Sequence, residues 1–432
     1  MPLTLLLDLD DTLLDTNLDS FMPIYFQALS NHMADRVSSE KLICALINGM
    51  NAMNENEDPR LTLQEVFDSE FYTRIGIRKD ELLDVVEDFY DNIFPALRKH
   101  TRQKPEAVPL IEWALSCGFR VAIATDPLFP YKAAHHRLRW AGLEPEQFEL
   151  ISTTENFHFT KSHPAHYAGA LGRLGWPDGP VLIVGNDASR DLIPAHRLGL
   201  KTYFIETESA SSPGPSPALP GTVRLKPYQG RCAPGVSVDA AQDRFEAGRG
   251  TLADLRPWLE SVDLSTLEPS YKSREAILGI MASTPAVLQG MFTPLTQENW
   301  NHEPAPDDWA LNEIVCHLRD TELEVHAVQL DLLLGKADAF IPRPDTAVWA
   351  NERDYLHEDG ATAIADFTNA RVDILNKLMN HPEDIWLRRA RHAIFGPTDF
   401  MEIMNFIADH DRMHLQQAWK TLQSVGLARR IE

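Results

Sequence analysis

Cysteine is scarce. Four residues in 432 (Cys44, Cys117, Cys232 and Cys316) are scattered with no C-x-x-C spacing. That is too few for a disulfide framework in a chain this long. They read as packing residues, and a reducing cytoplasm is the expected compartment. Positive charge is also short, with 40 Lys+Arg against 63 Asp+Glu for a formal net charge of -23. A surface that grips nucleic acid, or an anionic membrane, needs a basic footprint, so neither is an expected partner. No apolar run approaches the ~20 residues of a membrane span. The opening MPLTLLLDLDD has no basic n-region and meets acids almost at once, which argues against a targeting segment. The remaining composition, 44% hydrophobic and 24% charged, is that of a globular protein. At roughly 150 residues each, two or three domains are expected.

The apolar run at 3–7 ends in acids and reads as a buried strand. From about 20 to 100, apolar residues recur every three and four positions, the period of amphipathic helices. Strand and helix then alternate. FRVAIAT, ELIST, PVLIVG and KTYFI read as strands, each preceded by a helical stretch. That alternation predicts an α/β fold, a parallel sheet covered on both faces. Residues 207–248 break the pattern, and SSPGPSPALPG reads as a loop or linker. The helix at 251–261 either closes the first domain or begins the connection. Four amphipathic stretches near 272–291, 309–334, 362–380 and 397–426 carry no strand signal and predict a four-helix bundle.

The chemistry concentrates at strand ends, where ligands of doubly wound sheets bind. Leu5-Leu6-Leu7 runs into Asp8-Leu9-Asp10-Asp11-Thr12. VAIAT ends at Thr125, Lys161 follows the third strand, and PVLIVG runs into Asn186-Asp187 with Asp191 a turn later. Any one of these is explicable as a turn or a helix cap. Four in order resemble the haloacid dehalogenase-like (HAD) hydrolase superfamily over about 1–206. Asp8, Asp10 and Thr12 match its first motif, Thr125 the second, Lys161 the third, and Asp187 with Asp191 the fourth. Asn186 departs from the family's frequent Gly before the acid. The helical stretch at about 16–104 resembles the family's C1 cap. The resemblance implies a Rossmann-like core and a Mg²⁺-dependent phosphatase. In it Asp8 attacks phosphorus, Asp10 is the acid and base, and Thr125 and Lys161 hold the phosphoryl oxygens. Mg²⁺ would sit on Asp8, the Asp10 carbonyl and Asp187, with Asp191 orienting Lys161 or a metal-bound water. The dehalogenases of the superfamily lack the second acid, so Asp10 favours phosphoryl transfer. A small phosphorylated metabolite is the expected substrate.

A second constellation lies in the helical half. His410-Asp411-Arg412-Met413-His414 places two imidazoles on one helix face, and His317 lies on the second helix. Three neutral imidazoles suit Zn²⁺, Ni²⁺ or Fe²⁺. A zinc-protease reading fails because Asp411 stands where a Glu would be needed. Trp309, Glu313–Leu318 and His410–Leu415 with Gln417 resemble the DinB-like (YfiT-like) family of metal-binding bundles over about 272–426. The resemblance implies Zn²⁺ or Ni²⁺ on His317, His410 and His414, and it leaves three roles open: thiol- or metal-dependent transferase, interaction module, or dimerisation module forming a homodimer. His326 lies nine residues after His317 and is expected on the opposite helix face. The expected organisation is therefore an HAD-like domain at 1–206, a Pro-rich linker at 207–270 and an all-α bundle at 271–432.

Overall fold

A computed structural model describes residues 2–206, 246–292, 295–305 and 308–427. The linker sequence SSPGPSPALPG lies outside them. The chain forms two units. The first takes Met1–Glu57, Leu61–Tyr167 and Asp178–Ser270; the second takes Asp58–Arg60, Ala168–Pro177 and Tyr271–Glu432.

In the first unit, β1 (Thr4–Leu7) runs into the acid-rich turn and then β2 (Leu14–Asp15). β2 pairs antiparallel with β3 (Arg102–Gln103), where the chain returns from the cap. Between them lie α1 (Leu18–His32), α2 (Ser39–Glu55), α3 (Leu63–Ile75) and α4 (Lys79–Asp88). α3 starts on a reciprocal capping box between Thr62 and Glu65. Phe21, Tyr25, Phe89, Phe94 and Trp140 form a chain of edge-on, tilted and stacked ring contacts.

Beyond the cap, α5 (Ala107–Ser116) leads into β4 (Arg120–Ile123). α6 (Tyr131–Trp140) and α7 (Pro164–Arg173) precede β5 (Val181–Gly185). α8 (Ile193–Leu198) precedes β6 (Lys201–Ile205), and β7 (Glu246–Gly250) leads into α9 (Leu252–Ser261). The sheet order is β4-β1-β5-β6-β7, parallel throughout. Every residue of β1 and β5 is buried, as a parallel strand covered on both faces requires. Two differences from the sequence reading stand out. ELIST contributes only a single bridge, Ile123 to Ile151, rather than a strand. β7, EAGRG, has no apolar period and was not expected; it borrows its pairing from β6.

In the second unit, α10 (Arg274–Phe292) is followed by α11 (Leu311–Thr321), a π-helical turn (Glu322–His326) and α12 (Ala327–Gly335). α13 (Gly360–Met379) and α14 (Phe400–Ser424) complete the bundle. α10 alone among the described helices is long and apolar enough to cross a bilayer, but 78% of that window is buried in the protein. A small sheet, β8 (Ala339–Ile341), β9 (Arg389–His392) and β10 (Gly396–Asp399), corrects the all-α expectation. RARH and GPTD carry no alternating apolar signal, so this sheet was invisible to pattern.

Candidate active site and candidate metal centre

Parallel register places the first site. Leu7 pairs with Ile123 on one side and Val184 on the other, so the chain after β1 emerges between the ends of β4 and β5. The Asp8 amide donates to Val184 O (2.9 Å), and the Ala124 amide donates to Leu7 O (2.8 Å). Asp8, Thr125 and the 185–191 turn therefore meet at the carboxyl edge of the sheet.

The Asp8 carboxylate is gripped at both oxygens. Lys161 Nζ donates to Oδ1 (2.7 Å) and Thr12 Oγ1 to Oδ2 (2.9 Å). Lys161 also pairs with Asp191 Oδ1, and all three side chains are buried. Burial pulls the ammonium down, but Asp191 and Asp8 override it and hold Lys161 well above its ordinary value. Burial, with Asp8 adding to it, pushes Asp191 up to about 6 against the opposing pull of Lys161. Asp191 Oδ2 accepts the Asp187 amide (2.9 Å). A Cβ on Gly185 would stand 2.2 Å from the Asp191 carboxyl carbon, so only glycine lets this acid pack against the strand end.

Asp10 is held as firmly. Thr16 Oγ1 donates to its Oδ1 (2.8 Å), and the buried Arg137 guanidinium pairs with its Oδ2. Arg137 lies over the Phe129 ring at 4.2 Å. Nothing in the sequence signalled Arg137, which comes from α6, 127 positions away. Thr125 is buried, and its carbonyl accepts from Ser152 Oγ (2.6 Å). Asp126 beside it pairs with Arg190 and accepts the Lys161 amide (3.2 Å).

The fourth motif departs from expectation. Asp187 Oδ1 caps the next turn, accepting from the Ser189 amide (2.7 Å), Ser189 Oγ (2.6 Å) and the Arg190 amide (3.2 Å). It is Asn186 that faces the acids. One end of its carboxamide lies 3.1 Å from Thr12 Oγ1 and 3.2 Å from both Asp8 Oδ2 and Asp10 O: as an NH₂ it donates to all three, and as an oxygen it completes a set of three converging oxygens. Such hard-oxygen donors about 3 Å apart fit the octahedral shell of Mg²⁺.

The second site draws together all three expected histidines. The ligating atoms of His317, His410 and His414 lie within 4.8 Å of one another. His317 Nε2 faces His410 Nε2 at 3.1 Å, and His414 Nδ1 meets Gln417 Oε1 (2.9 Å). That contact leaves His414 Nε2 buried and without a partner. Trp309 stacks parallel to His414 with ring centroids 5.9 Å apart. Burial, with neighbouring imidazoles adding to it, lowers His317 to about 3 and His410 well below 6.5; burial lowers His414 to about 4. Neutral imidazoles with unshared nitrogens are the donor set a divalent transition metal takes.

His326 corrects the sequence reading. Its ring stands 5.3 Å from that of His410, edge to face, not on the far side of the helix. The π-turn at 322–326 shifts the helical phase between His317 and His326. Behind it lies a buried ionic cluster. Arg371 bonds Glu322 through Nε and Nη2, Asp411 through Nη1 and Nη2, and Met281 O through Nη1. All five guanidinium N–H donors are used, across α10, the π-turn, α13 and α14. Thr284 Oγ1 donates to Asp411 (2.8 Å), and Glu322 also holds His326 Nδ1 (2.9 Å).

The parallel core, the helical cap and the lysine-bridged carboxylates all lie in one stretch of the chain that matches a known family. Residues 5–205 match the haloacid dehalogenase-like hydrolase family, and residues 281–418 match the DinB superfamily. Residues 5–205 thus form an HAD-like hydrolase domain and residues 281–418 a DinB-like domain. No curated protein matches it. Among solved structures it is similar to an HAD phosphatase from Thermococcus onnurineus (18% identity, 60% of this chain and 98% of that one, TM-score 0.35). It is also similar to a 2-haloacid dehalogenase from Pseudomonas syringae pv. Tomato (18%, 60% and 99%, TM-score 0.39). Over the bundle it is similar to YfiT from Bacillus subtilis, which has an unusual four-helix bundle topology (16%, 36% and 90%, TM-score 0.33).

Proposed function

We propose that the first domain is a Mg²⁺-dependent phosphatase that hydrolyses a small phosphate monoester through an aspartyl-phosphate on Asp8. The observation that carries this reading is the cluster of Asp8, Asp10 O and the Asn186 amide oxygen beside the buried Lys161. Anionic phosphate cannot approach Asp8 unless cations screen it. Mg²⁺ on those three oxygens would supply charge neutralisation at the phosphoryl group. The chain's residues do the rest. Lys161 and the Thr125 hydroxyl bind phosphoryl oxygens, and Asp191 keeps Lys161 charged and aimed. Asp8 attacks phosphorus, and the leaving oxygen departs with a proton from Asp10. Asp10 then takes a proton from the water that hydrolyses the acyl phosphate. Thr16 and Arg137 fix its carboxyl orientation between the two steps. In this reading Asn186 replaces Asp187 as the third metal contact, and Asp187 shapes the turn.

Asp8→Asn is expected to abolish hydrolysis of p-nitrophenyl phosphate, and chelation of Mg²⁺ to mimic it. Retained turnover in the variant would defeat the assignment. For the bundle we propose a divalent transition metal on His317, His410 and His414. His317→Ala should empty that site while leaving phosphatase turnover intact.

A further inference from the structure

We propose that His326 is a fourth working residue of the trihistidine site, accepting a hydrogen bond from a protic ligand, water or a hydroxyl, held by the metal. The inference rests on the three histidines binding a metal and adds a residue to that site. Three observations converge. First, a straight helix turns about 100° per residue, so nine residues would put His326 half a turn away from His317. The π-turn at Glu322–His326 brings it back against His410. Such turns are rare and gather at functional sites. Second, its tautomer is fixed. Glu322 is fully buried, and its two oxygens are gripped by Arg371. A carboxylate only accepts, so in the neutral imidazole the contact with His326 Nδ1 keeps the proton on that nitrogen and the lone pair on Nε2. Among the described residues no hydrogen bond engages Nε2.

Third, its ring lies beside the trio without belonging to it. His326 stands outside the trio whose ligating atoms lie within 4.8 Å of one another. Metal–nitrogen bonds are about 2.0–2.1 Å, and a further hydrogen bond adds about 2.8 Å. A residue that cannot join the trio can still reach a ligand the trio's metal holds. An acceptor there favours ligands that carry a proton over those that do not.

The test uses the full-length chain loaded with Co²⁺. Metal content, the visible absorption of the bound ion and its titration with azide, which brings no proton, are measured for the wild type, His326→Leu and His326→Gln. We expect one Co²⁺ per chain in all three. His326→Leu should bind azide about tenfold more tightly, the loss of one hydrogen bond to the competing water, with an altered spectrum. His326→Gln, whose carbonyl still accepts, should fall between. Unchanged azide affinity and spectrum in both variants would overturn the proposal, as would loss of the ion from His326→Leu, which would make His326 a ligand. A wild type that takes up no Co²⁺ fails at the metal site itself, a distinguishable outcome.

Discussion

Arg371→Met removes the cation that pairs with both Glu322 and Asp411 and leaves these two acids buried beside a thioether. The wild-type pairing has a measurable worth. Glu322 is fully buried, and burial alone would raise its carboxyl, yet Arg371, with His326 adding to it, pulls it down to about 2. Breaking one side of a buried ion pair costs about 3–5 kcal/mol. In a domain of roughly 150–250 residues each kcal/mol moves the midpoint by about 2–4 °C, so a fall of roughly 10 °C is expected at pH 7.

The pH dependence has a definite sign. A depressed carboxyl stabilises the wild type above about pH 4.5, and that contribution disappears as pH falls through about 2. In the variant the stranded carboxyls titrate above their unfolded values, so their penalty is relieved as pH falls. The gap between wild type and variant must therefore narrow from pH 7.5 to pH 4.5. Scanning calorimetry of the full chain measures it, with the bundle transition identified as the one that added metal shifts upward. A fall under about 2 °C, or a gap as wide at pH 4.5 as at pH 7.5, would refute the reasoning.

Three other predictions follow from the geometry. Asn186→Leu should raise the Mg²⁺ concentration needed for half-maximal p-nitrophenyl phosphate turnover by about tenfold or more, whereas Asp187→Leu should act mainly on stability; the reverse pattern would restore Asp187 as the metal contact. Gly185→Ala drives a methyl into Asp191, so Lys161 should lose its aim and kcat should fall, with about 1–3 kcal/mol of strain visible in unfolding. Burial lowers His317 to about 3 and His414 to about 4, while the unfolded chain takes up protons near 6.5. The metal-free bundle should therefore lose stability as pH falls from about 6.5 toward 4, and stability constant across that range would contradict the burial argument.

What the sequence carries plainly is what repeats or alternates. The apolar run ending at Asp8 became the buried central strand, and the four amphipathic stretches became the bundle helices within a few residues. What it hides depends on phase or on distant partners. Asn186 and Asp187 are adjacent acceptors of similar size, and only the backbone direction after β5 decides which faces Asp8. Arg137 meets Asp10 across 127 positions with no pattern around it. β9 and β10 pair in antiparallel register and bury only Ala390, His392 and Thr398, too short a set to read as an apolar alternation. His326 is the sharpest case. Counting residues at a regular helical pitch gave the wrong face, because one turn of the helix is wound with a different hydrogen-bond ring.

Glu322, at the start of that turn, ties the stability of the bundle to the chemistry of its centre. The same carboxylate accepts from two nitrogens of Arg371 and from His326 Nδ1. Glu322 and His326, four residues apart, share one helix face, so both contacts are made from the same side. Arg371 also bonds Asp411, the neighbour of His410, so one guanidinium fixes the backbone on both sides of the site. Arg371→Met should therefore do more than lower the melting point. At a temperature where the variant remains folded, its bound Co²⁺ should show the altered spectrum and tighter azide binding of His326→Leu, because Glu322 no longer has a fixed position from which to hold the imidazole. A variant that is less stable by the expected amount but spectroscopically identical to the wild type would mean that the ionic cluster serves the fold alone.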